Sequence, residues 1–264
     1  MARAWLATAR RDMGGLKVAG IIPARYGSTR LPGKALEFIR GKPMIQRVYE
    51  RSKQASVLDL VCVATDDERI ARTVEAFGGR AIVTSPDHPS GTDRLAEAVQ
   101  SLEAQIVVNI QGDQPFIDPV MIEEVVQPLL DDHSLNMTTI MHPIASRDDM
   151  HDPSFVKVVV DSSGFALYFS RSLIPYPNTT EPHQVYEHVG LYAYRHEFLL
   201  KVASLPPTLL EKVEALEQLR VLEHGYRIRV VPTTCVDSEF SGFSVDTADD
   251  LARAEAMLRE RGLD

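Results

Sequence analysis

The sequence predicts an α/β protein in which a mostly parallel sheet carries helices on both faces, with a smaller lobe of mixed strands. Short apolar runs alternate with helical patterns in the first half of the chain, as is typical of parallel strands joined by crossover helices. After about residue 136 this alternation is lost. The 264 residues therefore suit a tail at 1–17 and a single domain at 18–264, with the lobe at about 136–200.

The first half of the chain contains four predicted strands, at 18–22, 58–65, 81–84 and 106–110. Helices are predicted between and after them, at 43–55, 68–77, 94–102 and 119–131. The strands are apolar throughout rather than alternating, so both faces of the sheet should be covered. In such sheets, ligands bind beyond the carboxyl ends of the strands.

The second half of the chain predicts strands of mixed direction at 136–143, 156–161, 165–168 and 189–194. A loop rich in proline, threonine and asparagine at 174–183 separates the last two strands. A helix at 210–222, a strand at 228–231 and a closing helix at 247–261 complete the prediction. We expect the last strand to return to the main sheet.

Composition excludes several classes of protein. The net charge of −9 argues against nucleic acid as a partner, because phosphate backbones require clustered lysine and arginine. No run of 18 apolar residues is present, so we expect no membrane span. Cys62 and Cys235 form neither a disulfide framework nor a zinc pattern, and this favours a reducing cytoplasm.

A cationic loop follows the first predicted strand. The apolar run stops at Pro23, and Arg25, Arg30 and Lys34 then fall within ten residues, separated by glycine and serine. Exposed amides and fixed positive charge suit phosphate oxygens, so the loop predicts a polyphosphate site. It matches neither the P-loop nor the dinucleotide-binding glycine pattern, and the alternative is an ordinary solvated surface loop.

Two acidic residues are candidate ligands for Mg²⁺. Asp113 follows the strand at 106–110 within a Gln-Gly-Asp turn, where a carboxylate is otherwise a turn former. Asp246 precedes the closing helix, and its local sequence favours a helix N-cap over a metal ligand. A triphosphate requires Mg²⁺ held by one or two carboxylates, so a polyphosphate at the cationic loop favours a metal role for Asp113 and Asp246.

The predicted lobe carries a third candidate group. Arg171 has a planar guanidinium suited to a substrate carboxylate. His188 and Tyr192 are four residues apart in a strand-like run, so they fall on one face, where they would donate hydrogen bonds to sugar hydroxyls. Packing within the lobe is the alternative for both.

Taken together, these segments resemble the sugar-acid cytidylyltransferases, and most closely the 3-deoxy-manno-octulosonate cytidylyltransferases. The matching segments are IPARYGSTRLPGK at 22–34, VATD at 63–66, SGTDRL at 90–95, NIQGD at 109–113, ALYFSR at 166–171, HVGLY at 188–192, LEQLR at 216–220 and VDT at 245–247. The resemblance implies a Rossmann-like sheet of the nucleotide-diphospho-sugar transferase type. It also implies CMP transfer from CTP to the octulosonate, with pyrophosphate released ahead of lipopolysaccharide assembly, and a homodimer that pairs through the smaller lobe.

The resemblance also implies roles for particular residues. The nucleotide would be bound by Ala24, Arg25, Ser28, Lys34, Ser90, Gly91, Thr92, Arg94 and Asp113. Mg²⁺ would be held by Asp113 and Asp246, which with Arg25 and Lys34 form the implied catalytic set. The sugar acid would be bound by Gln111, Arg171, His188, Tyr192, Glu217 and Gln218.

One position departs from the family pattern. The family has Gly-Asp-Glu-Pro after the strand, whereas this chain has Gln114 in place of the glutamate. Glutamine here resembles the branch that activates the 8-amino analogue of the sugar, so that substrate remains an alternative. A sialic-acid cytidylyltransferase and a non-catalytic nucleotide-binding protein of the same fold are further alternatives, and Mg²⁺-dependent pyrophosphate release separates the last of these.

Overall fold

The computed structural model describes residues 17–28, 30–235, 237, 240 and 242–263, so the predicted tail lies outside it except for Lys17. The chain divides into two compact units. The first unit extends to Glu123 and resumes at Cys235, and the second unit spans Glu124–Thr234. The sugar-binding and pairing roles expected of a lobe at 136–200 stay predictions.

The first unit contains a parallel sheet of four strands in the order β6–β1–β4–β5. The strands are β1 (Val18–Ala24), β4 (Leu60–Thr65), β5 (Ala81–Val83) and β6 (Ile106–Asn109), and a short hairpin joins β2 (Phe38–Ile39) to β3 (Lys42–Pro43). Consecutive residues of β1 and β6 are buried, so both faces of the sheet are covered, as the apolar runs predicted. The mostly parallel α/β prediction is confirmed.

Helices follow the strands of the first unit. They are α1 (Met44–Ser52), α2 (Glu68–Ala76), α3 (Gly91–Val99) and, from the end of the chain, α9 (Ala248–Glu260). Helix α4 (Pro119–Asp131) begins in the first unit and ends in the second. Helix α1 packs against β1 and β4, and α3 packs against β1. Asp67 and Ser90 cap α2 and α3, each accepting a hydrogen bond from a main-chain N–H of the first turn.

An aromatic cluster holds the C-terminal segment in the first unit. The rings of Phe116 and Phe240 stack with their centroids 4.4 Å apart, and Val245 and Leu258 are buried in the same cluster. The Val245 N–H also donates to the Asp113 carbonyl at 2.9 Å. Residues far apart in sequence, Asp113 and Asp246, are therefore brought to the same place.

The second unit contains a sheet of mixed direction, as predicted. Its strands are β7 (Met137–Pro143), β8 (Lys157–Val160), β9 (Ala166–Ser170), β10 (Tyr186–Arg195) and β11 (Arg229–Pro232). Strand β7 pairs antiparallel with β10 and parallel with β11, and antiparallel pairs continue from β10 to β8 and from β8 to β9.

The helices of the second unit are α5 (Arg147–His151), α6 (His196–Ser204), α7 (Leu209–Glu214) and α8 (Gln218–Glu223). The single helix predicted at 210–222 was wrong, because Ala215 adopts the left-handed conformation, with a φ of 52°, and ends α7. Among the described residues, none of the helices combines the length and apolarity needed to cross a bilayer.

Candidate active site

A cleft of about 300 Å³ opens in the first unit beyond the carboxyl ends of β1 and β6. Its lining comprises Pro23, Ala24, Arg25, Ser28, Arg30, Lys34, Ala35, His88, Pro89, Ser90, Gly91, Arg94, Gln111, Gly112, Asp113 and Asp246. The four residues of the implied catalytic set, Arg25, Lys34, Asp113 and Asp246, thus line one cavity. A single cleft therefore presents both cations and carboxylates to a ligand.

The loop after β1 is organised around Tyr26. Its carbonyl accepts hydrogen bonds from the N–H groups of Ser28 at 2.9 Å and Gly33 at 2.8 Å. The Arg69 guanidinium lies over the Tyr26 ring, 3.3 Å from its centroid. Gly33 has a φ of 72°, and a Cβ there would come within 2.9 Å of the same ring. This turn places Lys34 at the start of a short 3₁₀ helix, facing the cleft.

Gly112 explains how Asp113 reaches the same cleft. A Cβ at Gly112 would lie 2.8 Å from the Pro23 carbonyl oxygen, a main-chain atom that cannot move aside. Only glycine allows the loop after β6 to pass so close to the end of β1. The Asp113 carboxylate consequently lies next to the cationic loop.

Lys34 lies at the electrostatic centre of the cleft. Its ammonium is 2.7 Å from Asp113 Oδ2 and 3.0 Å from Asp246 Oδ1. Burial by itself lowers the pKa of Lys34, but the charges and hydrogen bonds of Asp113 and Asp246 outweigh it and raise the pKa above its ordinary value of 10.5. Lys34 is therefore a permanent cation that is shared between two carboxylates.

Asp246 is not the helix cap that its local sequence favoured. The cap of α9 is Thr247, whose hydroxyl accepts from the Asp250 N–H, while the Asp250 side chain accepts from the Thr247 N–H in return. Relieved of the capping role, the Asp246 carboxylate accepts from Lys34 and from Arg30 Nη2 at 2.9 Å. It faces the cleft as a charged group.

The carboxylate oxygens of Asp113 and Asp246 limit which metal ion these two residues can hold. In the described part of the chain, no group of three or more His, Cys, Asp or Glu side chains is arranged to bind a metal. Two carboxylates offer hard oxygen donors, which suit Mg²⁺ shared with substrate phosphates rather than a metal enclosed entirely by protein. The donor set is thus compatible with Mg²⁺.

The start of α3 also lines the cleft, through Ser90, Gly91 and Arg94. The Arg94 guanidinium is buried and donates to Asp66 Oδ2 at 3.1 Å and to Thr84 Oγ1 at 2.6 Å. Thr92 is buried in the first turn and is not among the residues that line the cleft. Arg94 therefore stiffens this wall whether or not it touches a nucleotide.

In the second unit, His188, Tyr192 and Glu217 lie together. The His188 and Tyr192 rings have centroids 5.3 Å apart, so they share a face, as their spacing predicted. Burial lowers the pKa of His188 to about 3. Burial also raises the pKa of the Tyr192 phenol, and the Glu217 carboxylate adds to the effect. Both aromatic side chains are therefore uncharged at neutral pH.

Arg171 and Gln218 also belong to the second unit, whereas Gln111 lines the cleft of the first. Arg171 Nε donates to the Glu214 carbonyl at 2.8 Å, and Nη1 donates to the Pro153 carbonyl at 2.9 Å. The buried Gln218 Nε2 makes no hydrogen bond with the described residues. This buried N–H group can therefore donate a hydrogen bond to a ligand.

Some residues of the cleft were missed from the sequence. Arg30 was noted as a cation of the loop but not assigned to the site, although it contacts Asp246. His88 was not assigned to the site either; it lines the cleft and pairs with Glu97, whose pKa is lowered by that hydrogen bond. The signal available for both was position, since Arg30 lies within the motif at 22–34 and His88 lies two residues before the motif at 90–95.

Comparison with known proteins agrees with this geometry. The cytidylyltransferase family model matches residues 19–228. A 3-deoxy-manno-octulosonate cytidylyltransferase from Geotalea daltonii is 52% identical, over 94% of this chain and 100% of the relative. One from Syntrophotalea carbinolica is 50% identical, over 92% and 99%.

A solved structure is similar throughout its length. It is CMP:2-keto-3-deoxy-manno-octonic acid synthetase complexed with CTP, with a TM-score of 0.87, 46% identity, and coverage of 93% of this chain and 99% of that one. The family match spans most of the chain, and the relatives are similar from end to end. The chain therefore belongs to the cytidylyltransferase family, among the 3-deoxy-manno-octulosonate cytidylyltransferases.

Proposed function

We propose that this chain transfers CMP from CTP to the anomeric hydroxyl of 3-deoxy-manno-octulosonate, releasing pyrophosphate and supplying lipopolysaccharide biosynthesis. The observation that carries the proposal is the cleft in which Arg25 and Lys34 meet the carboxylates of Asp113 and Asp246. The names of the similar enzymes and the CTP complex of the similar structure support it.

The reaction is an in-line displacement at the α-phosphorus of CTP. The anomeric oxygen of the sugar acid forms a bond to the α-phosphorus, the bond from that phosphorus to the β-phosphate oxygen breaks, and the hydroxyl proton leaves to solvent. Arg25 is exposed and makes no ion pair with the residues the structure describes, so its charge is available to the phosphates. Arg25 and Lys34 would neutralise the charge that develops on the transferred and leaving groups.

The cofactor in this proposal is Mg²⁺, held by Asp113 and Asp246 together with substrate phosphates. When bound, it supplies a Lewis acid that polarises the α-phosphate and lowers the pKa of the attacking hydroxyl. Lys34 and Arg30 pair with these two carboxylates, so the four side chains together carry no net charge before the metal binds. Lys34 is then the side chain able to turn from carboxylate to phosphate oxygens.

The sugar acid would be recognised by neutral groups and by one arginine. His188 and Tyr192 are uncharged and suit hydroxyl groups. The buried amide of Gln218 and the Glu217 side chain would supply further hydrogen bonds within the second unit. Arg171 would pair with the sugar carboxylate through the part of its guanidinium that the main chain leaves available.

Gln114 supports a second candidate substrate, the 8-amino analogue of the octulosonate. The side chain is 6% exposed, and its Oε1 accepts no hydrogen bond from the described residues. A buried amide oxygen without a donor is costly and suits a ligand N–H. The family glutamate would instead bring a negative charge to this position.

The decisive experiment supplies CTP and Mg²⁺ with each sugar acid and compares pyrophosphate release. Release with the octulosonate, at a higher kcat/KM than with the 8-amino analogue, supports the first substrate, and the reverse order supports the second. Gln114→Glu should move the preference toward the octulosonate. If neither sugar, nor a sialic acid, gives Mg²⁺-dependent pyrophosphate while CTP still binds, the chain is a non-catalytic nucleotide-binding protein.

Two further parts of the proposal concern assembly and location. Leu209 and Val213, four residues apart on α7, are 71% and 73% exposed, and such an apolar face favours a homodimer. Analytical ultracentrifugation would test the dimer, with Val213→Asp expected to weaken it. Cys62 is a buried free thiol, which favours the reducing cytoplasm.

A further inference from the structure

Thr139 lies buried in β7, opposite an irregularity in β10. The register pairs Val189 with Ile140 and Tyr192 with Thr139, so two residues of β10 have no partner on β7. Thr139 is fully buried, and its hydroxyl occupies the space opposite this bulge. The contacts of the Thr139 hydroxyl therefore include main-chain atoms of the bulge and a side chain beside it.

The Thr139 Oγ1 has three polar neighbours and one hydrogen. It lies 2.8 Å from the Leu191 carbonyl oxygen, 3.3 Å from the Val189 carbonyl oxygen and 3.0 Å from His188 Nε2. Neither carbonyl can donate. Two oxygens 2.8 Å apart repel unless a proton lies between them, so the hydroxyl donates to Leu191. The His188 ring must then donate from Nε2 to Thr139.

We propose that Thr139 is a positioning residue that fixes His188 as the Nε2–H tautomer and leaves Nδ1 as a hydrogen-bond acceptor for a sugar hydroxyl. The role toward the sugar depends on the proposed function, whereas the tautomer does not. His188 thereby accepts from the substrate, in contrast to the donor role expected from the sequence. Tyr192, which keeps its proton, remains the donor beside it.

The surroundings of His188 allow little other freedom. The Phe169 ring packs edge-on against the His188 ring, with the two centroids 4.9 Å apart. The Tyr192 ring is tilted by 46° to the His188 ring, with the two centroids 5.3 Å apart. The Nδ1 atom makes no hydrogen bond with the residues that the structure describes. Burial also lowers the pKa of the ring to about 3, so protonation does not compete with the tautomer at neutral pH. A neutral ring with a fixed acceptor discriminates hydroxyl donors from groups that only accept.

The tautomer is measured directly by ¹⁵N NMR of histidine in the wild-type protein without substrate. The His188 signals are identified by their loss in His188→Gln. We expect a protonated Nε2 and an unprotonated Nδ1 across pH 6–8. A protonated Nδ1, or an imidazolium, overturns the assignment whatever the activity is.

The positioning role is tested with Thr139→Val, which removes the hydroxyl and nearly conserves shape. We expect mixed His188 tautomers and a rise of about tenfold in KM for the sugar acid, with KM for CTP unchanged, because one hydrogen bond to substrate is weakened. Thr139→Ser should restore both. The matched control is Thr138→Val, since Thr138 is equally buried but donates to the Val125 carbonyl instead.

The outcomes separate this inference from the proposed function. Unchanged sugar KM in Thr139→Val, with the tautomer released, overturns the positioning role and leaves the proposed function standing. A wild-type protein that shows the expected tautomer but releases no pyrophosphate with any sugar acid overturns the proposed function and, with it, the role toward the sugar. A change in Thr138→Val as large as in Thr139→Val would show a packing effect and also overturn the positioning role.

Discussion

The two units differ in whether the polar side chains of their candidate sites are charged or neutral. In the first unit, Lys34, Asp113 and Asp246 form a charged group that lines an open cleft. In the second unit, His188 and Tyr192 are uncharged because burial shifts their pKa values away from neutrality. The first arrangement suits a ligand that brings charge of its own, and the second suits one that brings hydroxyls. The comparison shows that burial, as well as residue type, determines whether a side chain meets a ligand as a charged or as a neutral group.

The second unit also contains an ion pair that is enclosed by the protein. Arg220 pairs with Glu211 through two hydrogen bonds, of 2.5 and 2.9 Å, and both side chains are largely buried. Glu211 also completes the capping box of α7 with Thr208. This pair is enclosed in the second unit, whereas the charged group of Lys34, Asp113 and Asp246 lines an open cleft in the first.

The largest effect should follow from removing a carboxylate of the cleft. In Asp113→Asn, the amide cannot neutralise Lys34 or supply an anionic oxygen for Mg²⁺, and we expect turnover to fall by about a thousandfold or more. The measurement is pyrophosphate release with CTP and the sugar acid, alongside circular dichroism to confirm that the fold is retained.

Asp249→Asn is the matched control for this variant. Asp249 is an exposed carboxylate in the first turn of α9, three residues beyond Asp246, and it should leave turnover close to that of the wild type. Near wild-type activity in Asp113→Asn would break the comparison, because the charges of the cleft would then be structural like those of the second unit.

The second prediction concerns the enclosed pair. Glu211→Gln leaves the buried Arg220 without its partner and should lower the free energy of unfolding by about 3 kcal/mol at pH 7. Burial by itself raises the pKa of Glu211, but the hydrogen bonds from Arg220 and Thr208 outweigh it and hold the pKa below 4.5. The stabilisation is therefore complete above pH 4.5 and is lost as pH falls through the pKa of the folded state.

Urea unfolding at pH 7, 5 and 4 measures this dependence. The difference between wild type and Glu211→Gln should be constant from pH 7 to 5 and begin to shrink below 4.5. Glu197→Gln provides the control: Glu197 is exposed at the start of α6, and its loss should change stability by less than about 0.5 kcal/mol. Equal stability of wild type and Glu211→Gln at pH 7 would contradict the assigned role.

The sequence predicted the first unit well because its signals are local. A continuous apolar run indicates a buried parallel strand, and residues just after such runs meet at one edge, which is how Arg25 and Asp113 were placed in a common cleft. The turn at Gly112 was also visible as a Gln-Gly-Asp motif. In these cases one short segment contains both the cause and the result.

Other features depend on contacts between distant segments and could not be predicted. Asp246 and Thr247 are both suitable N-caps, and the decision rests on a lysine 212 positions earlier that draws Asp246 toward the cleft. The break at Ala215 involves neither glycine nor proline. The tautomer of His188 depends on Thr139, in another strand, and no local pattern reports it.

The last prediction uses Lys34 to sharpen the comparison further. The Lys34 ammonium occupies the space between two carboxylates, so a divalent cation must compete with it there. Lys34→Met removes the competing charge and should tighten Mn²⁺ or Mg²⁺ binding without nucleotide by about tenfold, or 1.4 kcal/mol, while turnover falls. Isothermal titration with each metal alone measures the affinity.

Lys42→Met is the control, because Lys42 pairs with Glu50 outside the cleft and should leave metal affinity unchanged. Weaker metal binding in Lys34→Met would mean that Asp113 and Asp246 do not hold the metal, and the first unit would then keep its charges for stability, as the second does.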